Sequence, residues 1–320
     1  MLGRGRFWPT REMARAALVA AGTFVAAGCG GGSADVEDAQ HSTAPPRGPR
    51  PALCTSLRAQ VTGHVAAPAA TELSGLVLSR SQRGVLWTHN DSGDRARVLA
   101  VAPDGTALAE VAVAGAENVD WEDIALGPAP GGGDALYVGD IGDNEGQRSS
   151  IVVYRFDEPR VAAGRSQIAL AQRLTLRYRD GAHDAEALLV DPSSGALVIV
   201  TKDFGATAGV YVADRPREET TTALRRVGEL TLGAAEPVTA GDLSADGRTL
   251  VVRTYDGAFA WSRRAGESLA STLRRSACAA RADLLVEGQS EAVALTADGR
   301  TFYTVPEGGQ PPIRRWAPVR

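Results

Sequence analysis

The chain of 320 residues contains a single lysine, Lys202, and only four histidines, three cysteines and two methionines. Each scarcity removes a class of function. The scattered His and Cys show no spacing suited to zinc. A net charge of -4 leaves no basic footprint for nucleic acid. No phosphate-cradling loop and no dinucleotide fingerprint occurs. The segment Gly288-Gln289-Ser290-Glu291-Ala292 lacks the second glycine of a nucleophile elbow. The longest apolar stretch, Ala16 to Ala27, is too short to span a bilayer as a helix. What remains is a chain rich in Ala, Gly and Arg, with short β-rich runs and many acidic turns.

The N-terminus reads as a targeting segment. Arg4, Arg6, Arg11 and Arg15 precede the apolar stretch, which runs into Ala26-Ala27-Gly28-Cys29. This resembles the lipobox of bacterial lipoproteins, and the resemblance implies that residues 1–28 are removed and that Cys29 carries a diacylglycerol. Residues 29–51 hold Gly, Ser, Ala, Asp and Pro with almost no apolar side chains, the composition of a disordered tether. The expected location is extracytoplasmic, on a membrane anchor. In that oxidising setting the remaining pair, Cys54 and Cys278, is expected to form a disulfide.

Residues 52–320 repeat one template five times, from Ser74, Glu122, Glu186, Gly241 and Glu291. Each copy has a small or acidic start, an apolar strand, a turn of Gly, Asp or Pro, and a second apolar strand ending in a polar cluster. The starts are 48, 64, 55 and 50 residues apart, the interval of a β-propeller blade. Third strands are expected at Arg97 to Val101, Ile151 to Phe156, Val210 to Ala213, Ala258 to Trp261 and Ile313 to Trp316. No amphipathic helix pattern interrupts them. The fold class is therefore all-β, a propeller of five blades, with a sixth degenerate blade in the 64-residue interval as the alternative. The last repeat ends after three strands, so the spare segment Leu53 to His64 is expected to close the last blade. A monomer is expected.

In a blade, the start of the first strand and the end of the second lie on one face. The starts carry Glu122, Asp123, Glu186, Asp242 and Glu291, with Ser74 in the first copy. The second-strand ends carry Asp91, Asp94, Asp140, Asp143, Asn144, Asp203, Asp256 and Glu307. A ring of carboxylates at one channel mouth calls for a hard cation with six to eight oxygen ligands, calcium above all. The candidate metal ligands are Glu122, Asp123, Asp140, Asp143, Asn144, Glu186, Asp203, Asp242, Asp256, Glu291 and Glu307. His89, Asp91, Asp94, Lys202 and Arg253 are the candidate ligand-binding residues, able to hold an anionic group beside a metal. Trp121 has two readings, packing between blades or stacking on a ligand.

Acidic starts such as Glu186-Ala187-Leu188 and Glu291-Ala292-Val293, followed by an Asp-Gly or Asp-Pro turn and a strand, resemble the repeats of phytase-like β-propellers. That resemblance implies the fold, and it brings calcium-dependent phosphohydrolysis into view. Two functions stay open on the sequence: binding of a small molecule or protein at an acidic, calcium-loaded mouth, and metal-dependent hydrolysis of phosphate or other esters there. A structural scaffold is the third. No residue is singled out as catalytic.

Overall fold

The computed structural model describes residues 50–161, 167–232, 237–280, 282, 284–288 and 290–319. The signal segment, Cys29 and all but the last two residues of the tether lie outside this set. Strand β1 (Leu57–His64) comes first and belongs to the last sheet. The first blade is β2 (Leu73–Leu78), β3 (Leu86–Asn90), β4 (Arg97–Val101) and β5 (Ala107–Ala114). The second is β6 (Trp121–Pro128), β7 (Asp134–Asp140), β8 (Ile151–Asp157) and, after a detour through β9 (Gln167–Leu170), β10 (Gln172–Arg177). The third is β11 (Ala185–Val190), β12 (Leu197–Thr201), β13 (Thr207–Ala213) and, after the short β14 (Thr222–Ala223), β15 (Arg225–Thr231). The fourth is β16 (Val238–Leu243), β17 (Thr249–Thr254), β18 (Ala258–Ser262) and β19 (Cys278–Ala280), with helix α1 (Leu269–Leu273) before β19. The fifth is β20 (Ser290–Leu295), β21 (Phe302–Pro306) and β22 (Pro312–Pro318), with β1 as its outer strand. The structure is a five-bladed β-propeller.

Alternation along each strand explains the ring. On β7, Ala135 and Tyr137 pack toward the third blade, whereas Leu136 and Val138 pack toward the first. On β12, Leu197 and Ile199 face the second blade, and Val198 and Val200 face the fourth. Both faces of each sheet are thus apolar, and five buried clusters fill the five gaps between blades. Trp121 is fully buried in one of them, and its indole N–H donates to the Glu117 carbonyl. It packs between blades.

The long interval in the second blade holds no sixth sheet. After β8 the chain crosses to the first blade, where β9 adds in parallel to the outer edge of β5 before β10 returns. The third blade does the same with β14, which adds in parallel to β10. Each detour covers an edge strand with a piece of the next blade. Helix α1 was not expected. It is one turn long, and Ser268 caps it by accepting from the Ser271 amide.

Strand β1 pairs antiparallel with β22, from Leu57 opposite Pro318 to His64 opposite Pro312. Cys54 and Cys278 form the disulfide, with a Cα–Cα distance of 5.5 Å. It ties the segment before β1 to the outer strand of the fourth blade. The bond spans 224 residues, and the chain-entropy model puts its contribution at about 5 kcal/mol at most. Reduction, or the double substitution Cys54→Ser/Cys278→Ser, should lower the melting temperature, and differential scanning fluorimetry with and without reductant measures this.

Candidate functional site

Each innermost strand carries a register slip at its mouth end. In β6, β11, β16 and β20 one extra residue sits between paired neighbours: Glu122, Glu186, Thr239 and Glu291. In β2 the slip lies between Leu73 and Leu76, at Ser74 and Gly75. A bulge of this kind re-aims a side chain that the pleat would otherwise send into a gap between blades. Glu122, Glu186 and Glu291 consequently meet, with one carboxylate oxygen from each within 4.8 Å of the others. The Ser74 hydroxyl lies 3.4 Å from oxygens of both Glu122 and Glu291, and 2.6 Å from the Glu122 carbonyl, to which it donates.

All three glutamates are buried. Burial, reinforced by the Glu186, Asp91, Asp120 and Glu291 carboxylates, raises Glu122 well above the ordinary carboxylate range. Burial and Glu291 raise Glu186 likewise, although Lys202 pulls it the other way. The Lys202 ammonium bonds to Oε1 of Glu186 and lies 5.3 Å from the centre of the Tyr255 ring. Burial opposes the lysine's charge, but the Glu186 carboxylate outweighs it and raises the ammonium above its usual value. The other oxygen of Glu186, Oε2, is buried without a hydrogen-bond partner.

A second group shares Glu122. Oxygens of Asp91, Asp120 and Glu122 also lie within 4.8 Å of one another. Burial pushes Asp91 and Asp120 up to about 6 each. The loop after β7 lies over this group, and Gly142 makes that approach feasible. A Cβ at Gly142 would stand 2.2 Å from Glu122 Oε1 and 2.5 Å from an Asp120 oxygen. Burial and the neighbouring Glu291 push Glu307 up to about 7.

The remaining predicted residues are placed elsewhere. Asp123 is fully buried, and its carboxylate accepts from the Ile124, Leu188 and Gly241 amides, joining the second blade to the third and fourth. Asp242 accepts from the Leu243 and Leu295 amides in the same manner and does not join the glutamate group. The expected start of the fourth repeat, Gly241, was two residues late, because its bulge residue is Thr239, which bears no charge. Arg253 does not line the mouth either: it is fully buried, paired with Glu287 at 2.6 Å, and donates to the Ala292 carbonyl. Asp94 holds Arg97 at 2.8 Å and Asn90 at 2.7 Å. His89 is buried against Gly75 and Trp121, and burial lowers its pKa to about 4. Asp140 pairs with Arg148, and Asp143 accepts from the Gln147 and Arg148 amides. Asp203 accepts from the Thr201 hydroxyl and the Gly209 amide. Asn144 and Asp256 are exposed.

Asp184, Thr239 and Tyr255 were not expected at the mouth. A period-two signal was present for the acids: Glu72, Asp120 and Asp184 each stand two residues before a bulge residue, on the same side of the strand. Tyr255 had no such signal; its hydroxyl lies 3.4 Å from Glu291. The donor set is all oxygen, apart from one ammonium. It fits a hard divalent cation, and the unpartnered Glu186 Oε2 is the atom that most needs one.

No family model matches the chain, and no curated protein matches it. Among solved structures, the chain is similar to a gluconolactonase from Xanthomonas campestris at 13% identity and a TM-score of 0.46, over 85% of this chain and 98% of that one. A structure of the mitotic checkpoint complex matches over 77% of this chain and 63% of that one, at 15% identity and a TM-score of 0.36. Neither bears on the chemistry of the site.

Two outcomes follow from the buried carboxylates. Asp123→Ala would orphan buried amides in three blades, at about 1–3 kcal/mol each, and should destabilise the fold by several kcal/mol in urea denaturation. The pH response should also be inverted over part of its range. Asp91 and Asp120 at about 6 and Glu307 at about 7 hold protons in the folded state that the unfolded chain releases near its lower, ordinary pKa. Their contribution to stability is present below the unfolded value and is lost as pH rises through the folded ones. With chelator present, the chain should melt at a higher temperature near pH 5 than near pH 8.

Proposed function

We propose that the chain is an extracytoplasmic, lipid-anchored propeller that binds a divalent cation, calcium by preference, on Glu122, Glu186 and Glu291, and takes its ligand at that mouth. The supporting observation is the convergence of three buried carboxylates with one oxygen lacking any partner. Three buried like charges beside one lysine disfavour one another unless protons or a cation intervene. Calcium suits an oxygen-only set of irregular geometry better than magnesium, which demands a tight octahedron. Lys202 and Tyr255 flank the group and would orient the anionic or hydroxyl-bearing part of a small molecule. Anchoring rests on Cys29 and its lipobox-like context, and the Cys54–Cys278 disulfide accords with export.

Metal-dependent hydrolysis of phosphate or other esters, as in the phytase-like propellers, is the second reading. It is favoured by Lys202, placed against the glutamate group where a charged ester oxygen would lie. A bound divalent ion would supply Lewis acidity toward that oxygen and toward water. Phosphoester turnover that needs the metal and falls in Lys202→Ala would move this reading to first place.

Calcium should raise the melting temperature of the wild type, by the equivalent of about 2.7 kcal/mol at a hundredfold excess over Kd. Glu122→Gln/Glu186→Gln should not respond to calcium. Asp298→Asn, in a turn at the far end of the channel, should keep the full response. A wild type that carries no metal and does not respond to calcium would overturn the cation reading. Separately, Cys29→Ser should release the protein from membranes, and an unchanged membrane fraction with no lipid mass on the wild-type peptide would refute anchoring.

A further inference from the structure

At the end of the propeller opposite the mouth, arginines gather on the turns of the fourth and fifth blades. The turn between β16 and β17, the turn between β20 and β21, the connection after β18 and the first described residues line one depression of about 450 Å³. Arg50, Arg248, Arg263, Arg264 and Arg300 converge there, with Asp246 and Asp298. Both aspartates are turn residues. Asp246 accepts from the Ser244 hydroxyl and the Arg248 amide, and Asp298 from the Thr296 hydroxyl and the Arg300 amide. Arg263 is bound to Asp191 at 2.7 Å. Arg248 approaches Asp246 only at 3.8 Å, with 74% of its side chain exposed. Arg50, Arg264 and Arg300 are exposed, and among the described residues none of them forms an ion pair. Four guanidinium groups are therefore presented to solvent around two carboxylates.

We propose that this patch docks the domain on an anionic lipid surface, with the channel mouth directed away from the bilayer. Three observations favour lipid headgroups over another acidic partner. The patch is where the chain enters the domain, at Arg50, and Cys29 stands only 21 residues before it. A flexible linker of that length spans roughly 25 Å on average, so an anchor there keeps the point where the chain enters the domain near the membrane. Second, the patch lies on turn tips, which present a shallow surface to a plane. Third, the opposite pole is acidic, and the six residues of β16 set the two ends about 20 Å apart. That separation exceeds the screening length of about 8 Å at physiological salt. An anionic surface thus attracts one end and does not hold the other. The orientation rests on lipidation at Cys29; the attraction itself does not.

The test uses the chain from residue 29 onward with Cys29→Ser, so that no lipid contributes. Co-sedimentation with vesicles of phosphatidylglycerol and phosphatidylcholine, against phosphatidylcholine alone, should show binding to the anionic vesicles only, lost in 0.5 M salt. Each arginine near such a surface contributes about fivefold in affinity, so Arg248→Gln/Arg264→Gln/Arg300→Gln should weaken binding on the order of a hundredfold. Arg225→Gln/Arg226→Gln, an exposed pair on β15 outside the patch, should bind like the parent. An unchanged melting temperature in the triple variant excludes misfolding; if it falls, the single variants Arg264→Gln and Arg300→Gln should each show the fivefold loss. Failure of the parent to bind anionic vesicles, binding indifferent to the triple substitution, or binding to an acidic polysaccharide but not to vesicles would overturn the proposal. None of these outcomes depends on calcium or on Cys29.

Discussion

A sheet that is apolar on both faces has to be covered on both, and a single chain can do this for every sheet only by closing a ring. Leu136 and Tyr137, adjacent on β7, belong to different inter-blade clusters. The same division runs through β12, where Leu197 and Val198 part company. The requirement fixes more than the architecture. It directs the innermost strands at a common axis, and it leaves the pleat no direction for a polar side chain except toward that axis. The bulges at Glu122, Glu186, Thr239 and Glu291 are the local departures that use this direction.

Within a few ångströms of that axis, carboxylates meet two different fates. Asp123 and Asp242 are as buried as the glutamates, yet backbone amides of neighbouring blades satisfy them. They act as cross-links of the ring, in the place that a longer hydrophobic side chain would leave unbonded. Glu122, Glu186 and Glu291 point past those amides and find mainly one another, Ser74 and Lys202. For Asp123 the difference from Glu122 is one residue of register and one methylene of length, and for Asp242, three residues past its bulge, it is register again; this separates a structural acid from a candidate ligand.

Much of the fold was legible because a propeller repeats its signal. The bounds of β4 and the pairing of Cys54 with Cys278 follow from alternation, turn residues and an even cysteine count. The detours through β9 and β14 were not legible, since parallel addition to a neighbour's edge leaves no periodic mark. The site was read less evenly. Glu122, Glu186 and Glu291 stand out as acidic residues at repeat starts, but Asp242 does as well, and only the register of β16 shows that Thr239 occupies the bulge. Arg253 looked like a mouth residue by its position at a strand end, but Glu287, 34 residues away, takes its charge. Long-range partners of this kind are set by packing, which no local pattern carries.

The closure of the last blade has a consequence for synthesis. Strand β1 is made near the start of the domain, whereas its partner β22 ends at Pro318. In a chain that emerges N-terminus first, β1 waits unpaired through the formation of four blades. Until the fifth blade forms, the first and fourth blades each present an uncovered apolar face. The native topology is therefore reached in one late step that couples the two ends of the domain, and a chain stopped ten residues short would lack the seam as a whole and not merely a part of it.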